Sequence, residues 1–150
     1  QEPLGTAGAL SLLRPGHEPL LVVNGDIVTR MDFRAMLDFH LEHRADMTVA
    51  VRAQEVRVPY GVIDTDGVWV RGISEKPILR QFVNAGINIL QPDACARVPQ
   101  RERYDMTMLI EELLRAGRPV ASFPIHEYWM DIGHMDDYQK ARGDHAPQAA

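Results

Sequence analysis

The sequence predicts an α/β fold with a mixed, mainly parallel sheet, and three observations predict it. The run Leu20–Val23 is apolar at every position and ends at a glycine turn, which is typical of a buried strand. An amphipathic segment and a second apolar run follow, in the order strand, helix, strand of a right-handed crossover. Farther along, an Asp-Gly pair separates two apolar runs, which is typical of an antiparallel hairpin. A mainly parallel sheet that also contains an antiparallel hairpin is consistent with all three observations.

The crossover begins at the first apolar run. Leu20–Val23 is expected to be buried on both faces, because continuously apolar strands occur inside parallel sheets. Residues 32–43 place apolar side chains at helical spacing, and Thr29 or Asp32 is expected to cap that helix. Residues 47–51 form the second strand, which we expect to be parallel to the first.

The hairpin and a second helix follow. Two apolar runs, residues 60–63 and 68–73, flank Asp64-Thr65-Asp66-Gly67, which is expected to form the turn. The remaining predicted elements are strands over residues 82–90 and 119–125 and helices over residues 108–116 and 136–141. Asp105 or Thr107 is expected to cap the helix with the pattern 108–116, and Gly117 is expected to end it.

Composition excludes several classes of protein. The 150 residues are 45% hydrophobic and 25% charged, as in one ordinary globular domain. No apolar run approaches the roughly 20 residues of a membrane helix. The net charge of -5 disfavours a nucleic-acid surface, and the single cysteine, Cys95, excludes an internal disulfide. We therefore expect a cytoplasmic protein that binds neither nucleic acid nor a membrane.

Two aspartates occupy similar sequence surroundings. Asp26 directly follows the first predicted strand and Gly25, and open α/β sheets bind ligands beyond the carboxyl ends of their strands. Asp131 lies between Met130 and Ile132 in a second apolar segment that ends in glycine. Carboxylates from two strands could share one Mg²⁺, which prefers oxygen ligands. The alternative is that each aspartate is a turn or helix-cap residue.

Two further segments have the composition of binding loops. Gly5 and Gly8 flank Thr6, which would let the backbone approach a flat or anionic ligand; the alternative is a tight entry into a helix over residues 9–13. Pro77 favours an extended conformation at Lys76, so Lys76 and the adjacent Glu75 are expected to point to opposite faces and to form no ion pair. A lysine can bind phosphate and a glutamate can accept hydrogen bonds from sugar hydroxyls; the alternative is a solvated loop.

Six short segments together carry a resemblance that none carries alone. In order, they are Pro3-Leu4-Gly5-Thr6-Ala7-Gly8-Ala9, Val23-Asn24-Gly25-Asp26, Tyr60-Gly61-Val62, Glu75-Lys76-Pro77, Asn84-Ala85-Gly86-Ile87 and Trp129-Met130-Asp131-Ile132-Gly133. This series resembles the sugar-1-phosphate nucleotidyltransferase family, in particular the glucose-1-phosphate thymidylyltransferases and mannose-1-phosphate guanylyltransferases. It extends over nearly the whole chain.

The resemblance implies a fold, a reaction and a set of site residues. The fold is a Rossmann-like nucleotide-diphospho-sugar transferase sandwich. The reaction joins a nucleoside triphosphate to a sugar 1-phosphate and releases pyrophosphate, with Mg²⁺ as cofactor and Lys76 and Asp26 as the catalytic residues. The resemblance implies that the nucleotide is contacted by Gly5, Thr6, Ala7 and Asp26, and that Mg²⁺ is held by Asp26 and Asp131. The sugar would be contacted by Gly61, Glu75 and Asn84, and the sugar phosphate by Lys76.

One family feature has no match. The glycine-rich loop with Arg and Lys that holds the triphosphate is absent from these residues, and the chain starts at Gln1 rather than at methionine. The resemblance therefore implies that residues 1–143 are the C-terminal part of a nucleotidyltransferase domain without its first βα unit, and that residues 144–150 are a disordered tail. Such a chain is expected to be inactive alone, and Leu20–Val23 would either expose an apolar edge or pair with another chain, as in a homo-oligomer.

Two other functions stay open at this point. A non-catalytic regulatory or assembly protein could share the fold and lack the loop. A glycosyltransferase would carry an Asp-x-Asp metal motif after a strand, but the one such motif, residues 64–66, falls in the predicted hairpin turn. The glycosyltransferase is therefore the less favoured of the two.

Overall fold

A computed structural model describes residues 3–13 and 16–133. It contains eight strands among these residues: β1 Leu20–Val23, β2 Ile27–Thr29, β3 Met47–Arg57, β4 Val62–Asp66, β5 Trp69–Ser74, β6 Ile78–Leu90, β7 Val120–Pro124 and β8 Trp129–Asp131. The α-helices in the same residues are α1 Gly5–Gly8, α2 Phe33–Glu42, α3 Pro92–Cys95 and α4 Met106–Arg115, and a 3₁₀ turn covers Ala9–Leu12. The predicted helix over residues 136–141 and the tail over 144–150 lie outside the described residues.

The central sheet has four strands in the order β1-β6-β3-β7. β6 is antiparallel to both of its neighbours, and β3 is parallel to β7. Three strands therefore run in one direction and one runs against them, which confirms the predicted mixed α/β sheet; within it, β3 and β7 are the parallel neighbours. β1 and β3 do run in the same direction, but they are not neighbours, because β6 lies between them.

Two apolar cores cover the two faces of the sheet. One core packs α1 and α4 against the sheet around Met47, Leu90 and Leu109, and the other lies between α2 and the sheet around Met36, Ile87 and Ile89. Alternate residues of β3 and β6 point to opposite faces, so both strands supply both cores. The result is a three-layer arrangement.

β1 differs from its predicted burial. It pairs with β6 and forms one edge of the described sheet, and Leu21 and Val23 are 42% and 40% exposed. The expectation of burial on both faces was therefore wrong. The reason is that full burial requires a neighbouring layer on each face, and the apolar composition of the strand cannot show whether one is present.

The hairpin is confirmed, but its turn is shorter than predicted. β4 and β5 are antiparallel, and Asp66 pairs with Trp69, so the turn consists of Gly67 and Val68. Residues 64–66 belong to β4 and not to the turn. Gly67 has φ +59°, a left-handed conformation that the two-residue turns of hairpins need.

The predicted helices are confirmed with small shifts at their ends. Asp32 caps α2, because its Oδ1 accepts the amides of Arg34 at 2.8 Å and Ala35 at 3.0 Å. α4 starts at Met106 with Asp105, one of the two expected residues, at its N-cap position, and it ends just before Gly117, which has φ +66°. Among residues 3–13 and 16–133, no helix combines the length and apolar character needed to cross a membrane.

One buried histidine belongs to the core. His40 is fully buried in α2, with Nδ1 at 2.8 Å from Thr48 Oγ1 and Nε2 at 3.1 Å from Gln91 Nε2. Burial lowers the pKa of His40, and nearby Asp46 offsets part of that effect. A neutral ring that donates from Nδ1 to Thr48 satisfies both contacts and fastens α2 to β3.

Candidate functional site

Asp26 and Asp131 lie together at one end of the structure. β2 and β8 form an antiparallel pair in which Ile27 faces Asp131, and the Ile132 amide donates to the Asp26 carbonyl at 2.8 Å. A Cβ placed on Gly133 would lie 3.1 Å from Asp131 Oδ1 and 3.3 Å from Asp26 Oδ2. Both carboxylates therefore border the same small space beside Gly133, and both are exposed.

A bulge in β6 adjoins this carboxylate pair. In the register with β3, Val49 faces Asn88 and Val51 faces Asn84, so residues 85–87 lie opposite Ala50 alone. Gly86 has φ +71°, and its amide donates to Asn84 Oδ1 at 2.9 Å. Bulges recur next to active sites, where they redirect a side chain.

Two hydrogen bonds connect the bulge to the segments that carry the carboxylates. The Asn24 amide donates to the Gly86 carbonyl at 2.8 Å, two residues before Asp26. Trp129 Nε1 donates to the Ala85 carbonyl at 2.9 Å, two residues before Asp131. The four-stranded sheet and the β2–β8 pair are thus fastened to each other at the site.

Thr6 lies on the same cleft as Asp26. The cleft has a volume of about 440 Å³ and is lined by Thr6 and residues 22–26. Thr6 is exposed, but Ala7 is fully buried. Gly5 packs against the loop before α4, since a Cβ there would come within 2.5 Å of Asp105 Oδ1. Of the three predicted nucleotide contacts in this segment, Thr6 has a side chain on the cleft.

The amides of the glycine-containing segment are already bonded within the protein. The Ala7 and Gly8 amides donate to the Tyr104 carbonyl, each at 2.9 Å, and the Thr6 amide donates to Asp105 Oδ1 at 3.1 Å. Thr6 Oγ1 in turn accepts the Met106 amide at 2.8 Å. The glycines therefore allow α1 to pack tightly against the start of α4. This structural role is similar to the alternative given in the sequence analysis, in which the glycines form a tight entry into a helix.

A network of polar side chains holds the loop before α4 through Tyr104. The Tyr104 hydroxyl donates to Glu112 Oε2 at 2.7 Å, and Arg97 donates to Glu112 Oε1 at 3.0 Å. Burial and this hydrogen bond raise the pKa of Tyr104 to about 12, whereas the bonds from Tyr104 and Arg97 lower the pKa of Glu112. At neutral pH, Tyr104 thus remains a donor and Glu112 remains ionised.

Gly61, Glu75 and Lys76 form a second group. A Cβ on Gly61 would lie 3.1 Å from Glu75 Oε2, and Lys76 Nζ is 3.9 Å from Glu75 Oε1. The expectation that Glu75 and Lys76 form no ion pair was wrong. Lys76 has φ +46°, so it is not extended, and the alternation of side chains in a strand does not apply to it.

Asn84 does not belong to this second group. Residues 78–84 are continuous strand, which at about 3.3 Å per residue spans roughly 20 Å between Ile78, two residues after Lys76, and Asn84. Asn84 lies instead at the bulge beside the carboxylate pair. The structure therefore divides the predicted site residues between a carboxylate group and a Gly61–Glu75–Lys76 group.

The carboxylate pair suits a magnesium ion held jointly with a substrate. The residues that the structure describes contain no cluster of three or more His, Cys, Asp or Glu side chains able to hold a metal. A dedicated protein cage is therefore not formed by those residues. Mg²⁺ is usually bound by one or two carboxylates together with waters and substrate phosphates, and two exposed carboxylates around one space fit that pattern.

Comparison with known proteins decides the family. Residues 1–147 match the family model described as nucleotidyl transferase. This chain belongs to the nucleotidyl transferase family.

It is 33% identical to the mannose-1-phosphate guanyltransferase of Schizosaccharomyces pombe, with 91% of this chain and 40% of that protein covered. It is 32% identical to the catalytic subunit beta of mannose-1-phosphate guanylyltransferase of Drosophila pseudoobscura, with 91% and 38% covered. The chain thus spans about two fifths of the length of these relatives.

Solved structures agree with the nucleotidyl transferase fold. HddC from Yersinia pseudotuberculosis superimposes with a TM-score of 0.67 at 25% identity, over 97% of this chain and 64% of that one. A putative glucose-1-phosphate thymidylyltransferase from Bacillus anthracis superimposes with a TM-score of 0.70 at 20% identity, over 100% and 65%, and shows the fold alone. The predicted Rossmann-like sandwich is confirmed.

Three residues of this candidate site were not predicted from sequence. Asn24, Trp129 and Gly133 hold or border the carboxylate group through contacts described above. The sequence Asn-Ala-Gly at residues 84–86 could have indicated a bulge, since glycine in a strand often marks one. Nothing in the sequence indicates that the Trp129 indole reaches the Ala85 carbonyl, because 44 residues separate them.

Proposed function

We propose that this chain is part of a sugar-1-phosphate nucleotidyltransferase, which transfers a nucleotidyl group from a nucleoside triphosphate to a sugar 1-phosphate. The observation that carries the proposal is the pair of exposed carboxylates, Asp26 and Asp131, that border one space beside Gly133. The names of the relatives, mannose-1-phosphate guanyltransferases, support the same reaction.

The reaction explains why the site needs these groups. An oxygen of the sugar phosphate bonds to the α-phosphorus of the triphosphate, and the bond from that phosphorus to the bridging oxygen breaks. Pyrophosphate leaves with the electron pair of the broken bond. Two anions must therefore approach each other in line, so the protein contributes alignment and charge neutralisation rather than a covalent nucleophile.

The carboxylate group is assigned to the triphosphate. Asp26 and Asp131 would hold Mg²⁺, which when bound neutralises and orients the phosphates. Thr6 lies on the cleft that Asp26 also lines, so its side chain is placed to contact the nucleotide. Gly5 and Ala7 act in this proposal through the packing that positions Thr6.

The Gly61–Glu75–Lys76 group is assigned to the sugar phosphate. Lys76 would bind the phosphate, Glu75 would accept hydrogen bonds from sugar hydroxyls, and the missing side chain of Gly61 leaves room beside Glu75. The Lys76–Glu75 pair is exposed and 3.9 Å long, so the free energy needed to separate it is small. Asn84 stays a proposed sugar contact, but it lies at the bulge, at the other end of the continuous strand 78–84, so it would reach the sugar from the side of the carboxylate group.

The reaction is tested by a substrate panel. The longest polypeptide that the gene encodes is incubated with Mg²⁺, one of four nucleoside triphosphates and one of several sugar 1-phosphates, and pyrophosphate release is measured. GTP with mannose 1-phosphate is the first pair, because the relatives are named for it. Pyrophosphate release that requires both substrates is the expected result. The purified 150-residue chain is expected to be inactive in the same assay, and a panel with no active pair would refute the assignment.

Lys76→Ala separates the two substrates. We expect the KM for the sugar 1-phosphate to rise by about ten- to a hundredfold, because a charge-assisted bond contributes about 1.5–3 kcal/mol, and the KM for the nucleotide to change little. Arg80→Ala is the matched control, since Arg80 is an exposed cation in the neighbouring strand and pairs with Glu55 at 2.9 Å. Equal changes in both KM values would contradict the role of Lys76.

A further inference from the structure

Gly133 borders the space between the two members of the carboxylate pair. A Cβ at this position would lie 3.1 Å from Asp131 Oδ1 and 3.3 Å from Asp26 Oδ2, closer than a methyl group normally approaches an oxygen. No backbone strain explains the glycine, because its φ is outside the left-handed region. Among the residues that the structure describes, the atoms that such a side chain would meet are thus those of the two carboxylates.

The backbone of Gly133 also orients one carboxylate. Its amide donates to Asp131 Oδ1 at 2.9 Å, which directs that oxygen toward the space shared with Asp26. Partners of this kind fix the geometry of a ligand, and their loss typically lowers metal affinity 10- to 100-fold.

Gly25 provides the contrast. It is adjacent to Asp26, is exposed, and has a φ outside the left-handed region, as Gly133 does. A Cβ at Gly25, however, would have nothing within 4 Å among the described residues apart from its chain neighbours Asn24 and Asp26. Two glycines therefore adjoin the same carboxylate group, and one of them tolerates a methyl group while the other would press it onto both carboxylates.

We propose that Gly133 is a positioning residue for the divalent cation: its amide orients Asp131 Oδ1, and its missing side chain keeps the space between Asp131 and Asp26 open. This inference rests on the metal role of the two aspartates in the proposed function. It adds a residue that acts through Asp131 and Asp26 and contacts no reacting atom.

Mn²⁺ binding to the 150-residue chain tests the proposal without an activity assay. Mn²⁺ takes the same oxygen ligands as Mg²⁺, and electron paramagnetic resonance measures the free ion directly. We expect Gly133→Ala to weaken Mn²⁺ binding by about tenfold and Gly25→Ala to change it by less than about twofold. Unfolding midpoints measured in EDTA should be similar for both variants. Equal Mn²⁺ affinities for wild type and Gly133→Ala would overturn the proposal.

A double-substitution cycle distinguishes positioning from general damage. If Gly133 acts through Asp131, Gly133→Ala should add little further loss in an Asp131→Asn background, whereas a structural defect would add its full effect. Full additivity would overturn the proposal. If Asp26→Asn and Asp131→Asn leave Mn²⁺ binding unchanged, both the role of Gly133 and the metal assignment in the proposed function are wrong. If the two aspartate variants weaken Mn²⁺ binding and Gly133→Ala does not, only the role of Gly133 is wrong.

The folded wild-type chain supplies a measurement that needs no variant of Gly133. In a ¹⁵N-correlated spectrum, the Gly133 amide resonance should shift as Mg²⁺ is added, because its acceptor becomes a metal ligand. Gly67, in the turn between β4 and β5, provides the reference resonance. A Gly133 resonance that moves no more than that of Gly67 at saturating Mg²⁺ would count against the proposal.

Discussion

Asp26→Asn and Asp131→Asn are each expected to lower the kcat of the complete protein by about a hundredfold or more. Each change removes one negative charge from a pair of carboxylates that border a single space beside Gly133. A metal at a phosphoryl-transfer centre contributes several kcal/mol to the transition state, and 1.36 kcal/mol corresponds to a factor of ten in rate. Asparagine keeps the size of the side chain, so the packing of β2 against β8 should persist.

The measurement is steady-state pyrophosphate release as a function of Mg²⁺ concentration. Both variants should need more Mg²⁺, and the double variant should lose less than the product of the two single losses, because both residues serve one ion. Asp38→Asn is the control: Asp38 is an exposed carboxylate on α2 whose contact with Arg34 is 3.8 Å long. Normal kcat in both Asp26→Asn and Asp131→Asn would refute the metal assignment.

Gly86→Ala is expected to destabilise the fold by about 2–3 kcal/mol and to disturb the site with it. Gly86 has φ +71°, where a residue with a side chain loses roughly 1 kcal/mol or more. A Cβ there would also lie 2.8 Å from Asn24 Nδ2, two residues before Asp26. The new methyl group must displace Asn24 or distort the bulge, and both are connected to the carboxylate segments.

Urea unfolding of the 150-residue chain measures the change in the free energy of unfolding. Gly67→Ala is the matched control, because Gly67 also has a left-handed φ, +59°, but a Cβ there would have nothing within 4 Å among the described residues. It should lose about 1 kcal/mol, from the backbone conformation alone. Asn24→Ala should recover part of the loss in Gly86→Ala by removing the obstructing amide. Equal decreases in the free energy of unfolding for Gly86→Ala and Gly67→Ala would show that the contact with Asn24 does not contribute to the destabilisation.

Much of the fold was predictable from local patterns. The Asp32 cap, the spacing of α2 and α4 and the Gly67 turn depend on residues close together in the sequence, and each is found where it was expected apart from small shifts at its ends. The short elements β2, β8 and α3 were not predicted, because three or four residues are too few to establish a period.

The candidate site was predictable only in part. The sequence indicates Asp26 and Asp131 as similar carboxylates, and the structure brings them together through the β2–β8 pair. Local rules led to a wrong expectation at Lys76, whose left-handed backbone permits the contact with Glu75 that an extended chain would prevent. They also did not separate Asn84 from the Gly61–Glu75–Lys76 group.

The α/β class and most of the helices and strands are readable from the sequence, because they depend on periodicity, capping and turn residues that act within about ten positions of each other. The motif series is also readable there, and it indicates a nucleotidyl transferase through its resemblance to a known family. Packing in three dimensions places β6 between β1 and β3, leaves one face of β1 exposed and brings Gly133 beside the space that both aspartates border. These outcomes depend on packing between segments as much as 107 residues apart, as Asp26 and Gly133 are, and no local pattern encodes which distant segment will be the neighbour.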